Sequence, residues 1–146
     1  MAVQEFAVTV CVLLHRQGRW LLSIRSPDVA YAPGCLGLVG GHVEVDSPIP
    51  GVLEVTARRE VSEETGLDLA AVPLTYLESE FFVTEQGERQ VTVTFVARAP
   101  ADAVASVAAP AELSEVGWWT REEVAADSRC PPWLPELLDR AAASLG

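Results

Sequence analysis

The stretch REVSEETGL, residues 59–67, places three glutamates and an arginine in a segment that predicts a helix. At about 100° per residue, Glu60, Glu63 and Glu64 project from one side of this helix. Carboxylates three and four positions apart repel by roughly a few tenths of a kcal/mol per pair. Arg59 projects about 100° away from Glu60, so we expect no ordinary i,i+4 pair to cancel the charge. We therefore expect a group outside the helix to neutralise the charge of the acidic face.

Clustered carboxylates without a basic partner are typical of a site for a hard cation, Mg²⁺ or Mn²⁺. The alternative is a solvated helix face, which is the usual reason for such a cluster. Two features favour the metal site. Ala57 and Val61 lie beside the acidic stripe, which places the carboxylates at the rim of the buried face. A glycine-rich segment directly precedes the helix, and glycine allows the backbone to approach a ligand closely.

The composition of the chain limits the kinds of partner that it can bind. The 146 residues carry a net charge of −11, which argues against a nucleic acid duplex held by phosphate neutralisation, although bridging cations would allow a smaller polyanion. Cys11, Cys35 and Cys130 are widely spaced, which is typical of reduced thiols in the cytoplasm. No apolar run is long enough for a membrane span, and no basic region precedes the first one. We expect one domain over residues 1–146.

The N-terminal half predicts a hairpin, a long loop and a helix. β-Branched, apolar runs at 6–15 and Arg19–Arg25 flank a short RQG turn. Residues 26–51 are rich in glycine and proline, which predicts a loop with at most a short strand in CLGLVG. The helix should cover Val52–Thr65, with Gly66 as its C-cap.

The C-terminal half predicts a second hairpin, a late strand and two helices. Two β-rich runs flank EQGE, residues 85–88, and the alanine-rich residues 99–111 read as a connecting loop before the strand SEVGWW. Thr120 and Glu123 form a capping box for a short helix through Ala126, and a terminal helix follows the double proline. These elements predict an α+β fold, an α/β/α sandwich in which a mixed β-sheet has helices on its faces.

The acidic helix also carries a family resemblance. GGHVE at 40–44, followed by REVSEETGL, resembles the signature of the Nudix hydrolases, the MutT-like family. The positions that fill the second half of that signature are Arg59, Glu60, Val61, Glu63, Glu64, Gly66 and Leu67. The flanking strands and the segment AELSEVGWWTREEV fit as well, so the resemblance covers about residues 6–124.

The first half of the signature departs from the family pattern. Gly41 lies four residues too early, and Gly51 occupies the position at which the family has a glutamate. A four-residue insertion within VDSPIPGV accounts for the shift, because a loop tolerates added length. Asp46 and Glu54 are the candidates for the missing acid.

The resemblance implies a Mg²⁺- or Mn²⁺-dependent hydrolase that cleaves the diphosphate linkage of a nucleoside diphosphate derivative, with a metal-activated water attacking phosphorus. It implies Glu60 and Glu64 as metal ligands and Glu63 as a ligand or a base acting through water. The carbonyl of Gly41 would be a further ligand, and Arg59 would orient Glu60 or the loop. The family often forms homodimers, so a dimer is a further expectation.

Four residues are candidates for substrate binding. Arg25 follows the second strand and could contact phosphate, and Glu44 lies near the glycine pair. The family often takes an acid from a distant loop, and we favour Glu112 over Glu80, Glu85, Glu88 and Glu115. Trp118 and Trp119 are adjacent on a strand and face opposite sides, so one joins the core and the other, Trp118, could stack on a nucleobase.

Two alternatives remain open at the level of the sequence. A non-catalytic, nucleotide-sensing module of the same fold would bind without hydrolysis, although such a module could lose the glutamates that this chain retains. An isoprenoid-diphosphate isomerase would need a catalytic cysteine. Cys35 is the candidate for that role, and nothing around it indicates activation.

Overall fold

The computed structural model describes residues 2–146. Seven strands form one sheet: β1 (Ala7–Arg16), β2 (Arg19–Arg25), β3 (Leu36–Gly37), β4 (Val39–His42), β5 (Thr75–Val83), β6 (Arg89–Arg98) and β7 (Leu113–Trp119). Three helices accompany it: α1 (Val52–Thr65), α2 (Arg121–Ala126) and α3 (Leu134–Ser144). The two predicted hairpins, the late strand and all three predicted helices are present.

The sheet is mixed. Its main order is β3-β2-β1-β6-β5, with β4 also paired to β1 and β7 paired to β2. β1 and β6 run parallel, and the other pairs are antiparallel. The first hairpin pairs only at its closed end, where Trp20 lies opposite His15 and Arg19 opposite Arg16. Beyond that point β1 pairs with β4, which fixes the double glycine beside β1.

Apolar residues that alternate along β1 supply a core on each face of the sheet. Val12 and Leu14 pack in the cluster that contains Ala57 and Val61 of α1. Leu13 packs on the other face, in the cluster formed with α2 and α3. The predicted α+β fold with helices on both faces is therefore confirmed.

Local signals in the sequence set the ends of α1. The helix covers the predicted Val52–Thr65, and Gly66, with a φ of 77°, ends it by donating its N–H to the carbonyl of Ser62. Gly51 precedes the first turn with a φ of 63°, a left-handed conformation that favours glycine. The predicted capping box is present as well, because the side chains of Thr120 and Glu123 each bond the other residue's backbone N–H.

The predicted loop differs most from the structure. CLGLVG contributes two short strands, β3 and β4, rather than at most one, because β4 finds a long partner in β1. The other boundaries differ by at most three residues, the largest difference being at the start of β5, where the predicted run began at Val72. Over the described part of the chain, no helix combines the length and the apolar character that a membrane span requires.

Candidate metal and phosphate site

Glu64 is the most deeply buried carboxylate of the acidic helix. Only 3% of the residue is exposed, and its Oε1 accepts a hydrogen bond of 3.1 Å from the backbone N–H of Gly40. Gly40 allows this approach because β4 lies tightly on β1 at this point. A methyl group at Gly40 would collide with the carbonyl of Val10 and would lie 2.7 Å from the Cα of Cys11. The glycine thus brings a backbone donor to a buried carboxylate.

Glu60 lies one turn earlier on α1 and contacts the second glycine. A methyl group at Gly41 would lie 2.6 Å from Oε1 of Glu60, so the carboxylate occupies the space that a side chain at Gly41 would fill. The Glu60 side chain is 13% exposed. The glycine pair of β4 therefore faces two carboxylates of α1.

Arg59 corrects one prediction. Its Nη2 donates to Oε1 of Glu60 at 3.1 Å, and its Nε lies 3.7 Å from Oε1 of Glu63, the i,i+4 pair that we expected to be absent. Its Nη groups also donate to the carbonyls of His42 and Glu44. The side chain is long enough to bend back along the helix, so the angle between Cβ directions underestimated its reach. Arg59 links the Glu60 carboxylate to the loop after β4.

The acidic stripe divides into a buried part and an exposed part. The Glu63 side chain is 59% exposed and points to solvent beside Arg59, whereas Glu60 and Glu64 face β4. Ala57 and Val61 are fully buried beside the stripe, which confirms that the carboxylates lie at the rim of the helix's apolar face.

Burial and mutual repulsion raise the pKa of both inner carboxylates. Burial is the main reason that the pKa of Glu64 is raised to about 8; the negative charges of Glu60 and Glu112 also raise it, and the Gly40 hydrogen bond and the charge of Arg25 oppose the shift. Burial likewise raises the pKa of Glu60, assisted by Glu63 and Glu112 and opposed by Arg59. A bound cation would relieve the same repulsion.

Glu112 and Arg25 reach this site from distant parts of the chain. The carbonyl of Glu112 accepts a hydrogen bond of 2.8 Å from the N–H of Ser26, the residue after Arg25. Arg25 ends β2, and its Nε donates to the carbonyl of Tyr31 at 2.7 Å. The guanidinium also lies 5.7 Å from the centre of the Tyr31 ring. Tyr31 carries no chemical signal in the sequence and was not predicted.

The other two predicted substrate-binding residues are Glu44 and Trp118. Glu44 is exposed and lines a shallow depression with Val45 and Asp46, and only its carbonyl contacts Arg59. Trp118 is six residues along the chain from Glu112, about 20 Å on an extended strand. It packs against the α1-side core with the Arg16 guanidinium 4.2 Å from its ring centre, while Trp119 packs on the opposite face.

The donor set suits a hydrated hard cation better than a closed protein cage. Within residues 2–146, no group of three or more His, Cys, Asp or Glu side chains is arranged to hold a metal ion by itself. Mg²⁺ does not require such a group, because it keeps several waters and binds through one or two carboxylates plus substrate phosphates. Glu60 and Glu64 provide those two carboxylates, and oxygen ligands exclude the softer, thiol-binding metals.

None of the three cysteines has the environment of a nucleophile. Burial, together with the charge of Glu64, raises the pKa of the Cys11 thiol to about 12, so this residue beside the site stays protonated. Cys35 is half-buried, and its backbone groups bond Arg25 and Ala32. Nothing at Cys35 supports the isomerase alternative.

The raised pKa of Glu64 predicts how the metal-free protein responds to pH. The folded state binds this proton up to a pH of about 8, whereas the unfolded chain releases it near 4.5, so this group lowers the free energy of unfolding as pH rises across that window. Glu64→Gln removes the charge. We expect its melting temperature without metal to exceed that of the wild type by several °C at pH 8.5 and by about 1 °C or less at pH 4. Equal differences at both pH values, measured by calorimetry in a chelator, would contradict the assignment.

Comparisons with known proteins identify the family and the fold. The sequence model of a family described as the NUDIX domain matches residues 4–140. A MutT NUDIX hydrolase from Burkholderia pseudomallei is 25% identical, with a TM-score of 0.75, and the match covers 94% of this chain and 98% of that one. The NUDIX domain of Shewanella oneidensis NrtR, solved in complex with ADP ribose, is 24% identical, with a TM-score of 0.76 and coverage of 99% and 91%. The MutT protein of Methanosarcina mazei Go1 is 21% identical, with a TM-score of 0.75 and coverage of 99% of both chains. Curated protein sequences gave no match.

Proposed function

This chain belongs to the Nudix family, and from that premise we propose that it hydrolyses the diphosphate linkage of a nucleoside diphosphate joined to another group, with Mg²⁺ or Mn²⁺ as cofactor. Family membership supports a hydrolase in general, and the metal and substrate class are our proposal. One observation carries it: two inner carboxylates, Glu60 and Glu64, are held against a pair of glycines at the rim of α1.

The proposed chemistry assigns a task to each group. The negative charge of the phosphates repels a nucleophile, and neutral water is a weak one. A bound divalent ion would neutralise the phosphate oxygens and acidify a water molecule, and so would remove both obstacles. Glu60 and Glu64 would hold the ion, with the carbonyl of Gly41 as a further ligand. Glu63, exposed beside them, would add a ligand or accept a proton through water. Arg59 would keep the Glu60 carboxylate in place by bonding both it and the loop after β4.

Residues from other segments would complete the site. Arg25 is held by the Tyr31 carbonyl through Nε, and its charge reaches Glu64, so its remaining N–H groups suit a substrate phosphate. Glu112 adds negative charge at both inner carboxylates and would serve as the acid taken from a distant loop. Glu44 would contact the outer part of the substrate. Base stacking by Trp118 stays a prediction, since its ring packs against Arg16.

A diphosphate that joins a nucleoside to a second group is the substrate class we favour. The NrtR domain, whose fold this chain shares, was solved with ADP ribose, a compound of this class. The net charge of −11 also requires cations between the protein and any polyphosphate. We further propose a cytoplasmic location, which suits three free thiols, and a single domain over residues 1–146 that can form a homodimer.

A substrate panel tests the proposal. Nucleoside triphosphates, dinucleoside polyphosphates and nucleotide sugars, ADP ribose among them, are incubated with the protein and Mg²⁺ or Mn²⁺. The nucleotide products are then separated by chromatography and measured, because cleavage of the diphosphate linkage releases phosphate monoesters or pyrophosphate. We expect metal-dependent turnover of at least one nucleoside diphosphate derivative and none in a chelator. Saturable binding of such a compound without turnover would instead support the non-catalytic sensing module.

A further inference from the structure

The alanine-rich segment between β6 and β7 is more than a connection. We propose that residues 99–112, here called the strap, hold Glu112 against the two inner carboxylates, and that Arg16 is a positioning residue that anchors the strap. The inference rests on the proposed role of Glu112. Nothing in the local sequence indicates this role of Arg16, because Arg16 is the last residue of β1 and is 85 residues from Ala101 in the sequence.

Arg16 fixes the first part of the strap. Its Nη1 donates to the carbonyl of Ala103 at 2.6 Å and to that of Ala101 at 3.4 Å. Its guanidinium lies 4.2 Å from the centre of the Trp118 ring, a cation–π distance. The guanidinium therefore contacts two elements: its Nη1 bonds the strap, and its face lies on the Trp118 ring of β7.

The middle of the strap bonds the end of the acidic helix. The N–H of Ser106 donates to the carbonyl of Thr65, and that of Ala108 donates to the carbonyl of Glu64, each at 3.0 Å. Helix C-termini leave carbonyls without a partner inside the helix, and these bonds satisfy two of them. Glu64 thus receives a strap bond at its backbone while its carboxylate receives one from Gly40.

The last part of the strap leads towards the site. The N–H of Glu112 donates to the carbonyl of Ala109 at 3.0 Å, and its carbonyl accepts from Ser26 at 2.8 Å. The Ser26 bond places the end of the strap beside the residue that follows Arg25, and the negative charge of Glu112 contributes to the raised pKa of both Glu60 and Glu64. The strap is therefore tied at three points between Arg16 and the site.

The strap has mostly small side chains, so the hydrogen bonds described above are what fix its position. Seven of the fourteen strap residues are alanine, and of these only Ala99, Ala103 and Ala105 pack against the core. Little apolar burial is available to hold the segment, so its position depends on hydrogen bonds. Lysine would replace Arg16 only in part, because it keeps the charge but lacks the planar fork that bonds carbonyls while stacking on an indole.

A double-mutant cycle tests the inference. Arg16→Ala, Glu112→Gln and the double variant are assayed on the best substrate of the panel, with Arg16→Lys as the conservative variant. We expect Arg16→Ala to lower kcat about 10-fold with KM within about 2-fold, and Arg16→Lys to recover part of the loss. In the Glu112→Gln background, Arg16→Ala should have no further effect, because residues that act as a unit are not additive. Equal losses in both backgrounds would overturn the inference.

Hydrogen exchange gives a second readout that does not depend on turnover. The amides of Ser106 and Ala108 should lose protection in Arg16→Ala, whereas Arg98→Ala should leave them unchanged. Arg98 is the matched control because it also bonds a backbone carbonyl, that of Leu145, away from the strap. Unchanged protection of these two amides in Arg16→Ala would overturn the proposal that Arg16 anchors the strap. A wild-type rate for Glu112→Gln overturns its link to the site but leaves the hydrolase intact, and a wild type inactive on the whole panel defeats the proposed function instead.

Discussion

Replacing Glu64 by glutamine is expected to lower kcat by about 10³-fold or more while the protein stays folded. Glutamine keeps the size of the side chain and an oxygen that can accept the Gly40 hydrogen bond, so the fold is preserved. It loses the negative charge that would hold a cation at this buried position. The loss should appear in kcat rather than in KM alone, because the cation acts on the developing charge of the transition state.

Steady-state kinetics with saturating Mg²⁺ measure this effect, and circular dichroism checks the fold. Glu122→Gln is the matched control, since Glu122 is an exposed glutamate of α2 on the other face of the sheet. It should retain the wild-type rate. A Glu64→Gln variant within about 3-fold of the wild type would show that Glu64 is not a ligand on which the rate depends.

The two adjacent glycines are expected to respond differently to the same substitution. The three atoms nearest to a methyl group at Gly41 all belong to the end of the Glu60 side chain, which can rotate away. Gly41→Ala should therefore fold with a near-native melting temperature and lose about 10²-fold in kcat, because Glu60 is displaced. A methyl group at Gly40 meets the backbone of β1 at Val10 and Cys11, which cannot move without separating β4 from β1. Gly40→Ala should lower the melting temperature by about 10 °C or more, or prevent folding.

Thermal unfolding and kinetics on both variants separate the two effects. Gly37→Ala serves as the control, because its methyl group would make only ordinary contacts, at 3.8 Å or more, with the Arg25 side chain. If Gly41→Ala keeps the wild-type rate, the contact between Gly41 and Glu60 has no part in catalysis. If Gly40→Ala is as stable as the wild type, β4 does not pack on β1 as closely as the structure indicates.

Elements with strong local signals were predictable from the sequence. α1 matches its predicted bounds because Gly66 is suited to a left-handed C-cap and the apolar positions Ala57 and Val61 recur at helical spacing. The capping box of Thr120 likewise needs only residues three positions apart. In these segments the interactions that decide the structure lie within one or two turns of the chain.

Features that depend on contacts between distant segments were not predictable. The conformation of Arg59 follows from the carbonyls of His42 and Glu44, which the fold brings to the helix. Glu63 and Glu64 are neighbours of the same type, yet only Glu64 is buried, because β4 covers its side of α1. Glu112 was chosen among several acids by resemblance alone, and no local pattern would have indicated that the strap carries it to the inner carboxylates.

The central claim is that Glu60 and Glu64 hold a divalent cation, and a Mn²⁺ titration tests it most directly. Free Mn²⁺ is followed by electron paramagnetic resonance in the wild type and in the Glu60→Gln, Glu64→Gln double variant, without substrate and at a pH above 8, the raised pKa of Glu64, so that this carboxylate is mostly ionised. We expect saturable binding in the wild type and at least a 10-fold weaker affinity in the double variant. Identical binding curves for the two proteins would contradict the account.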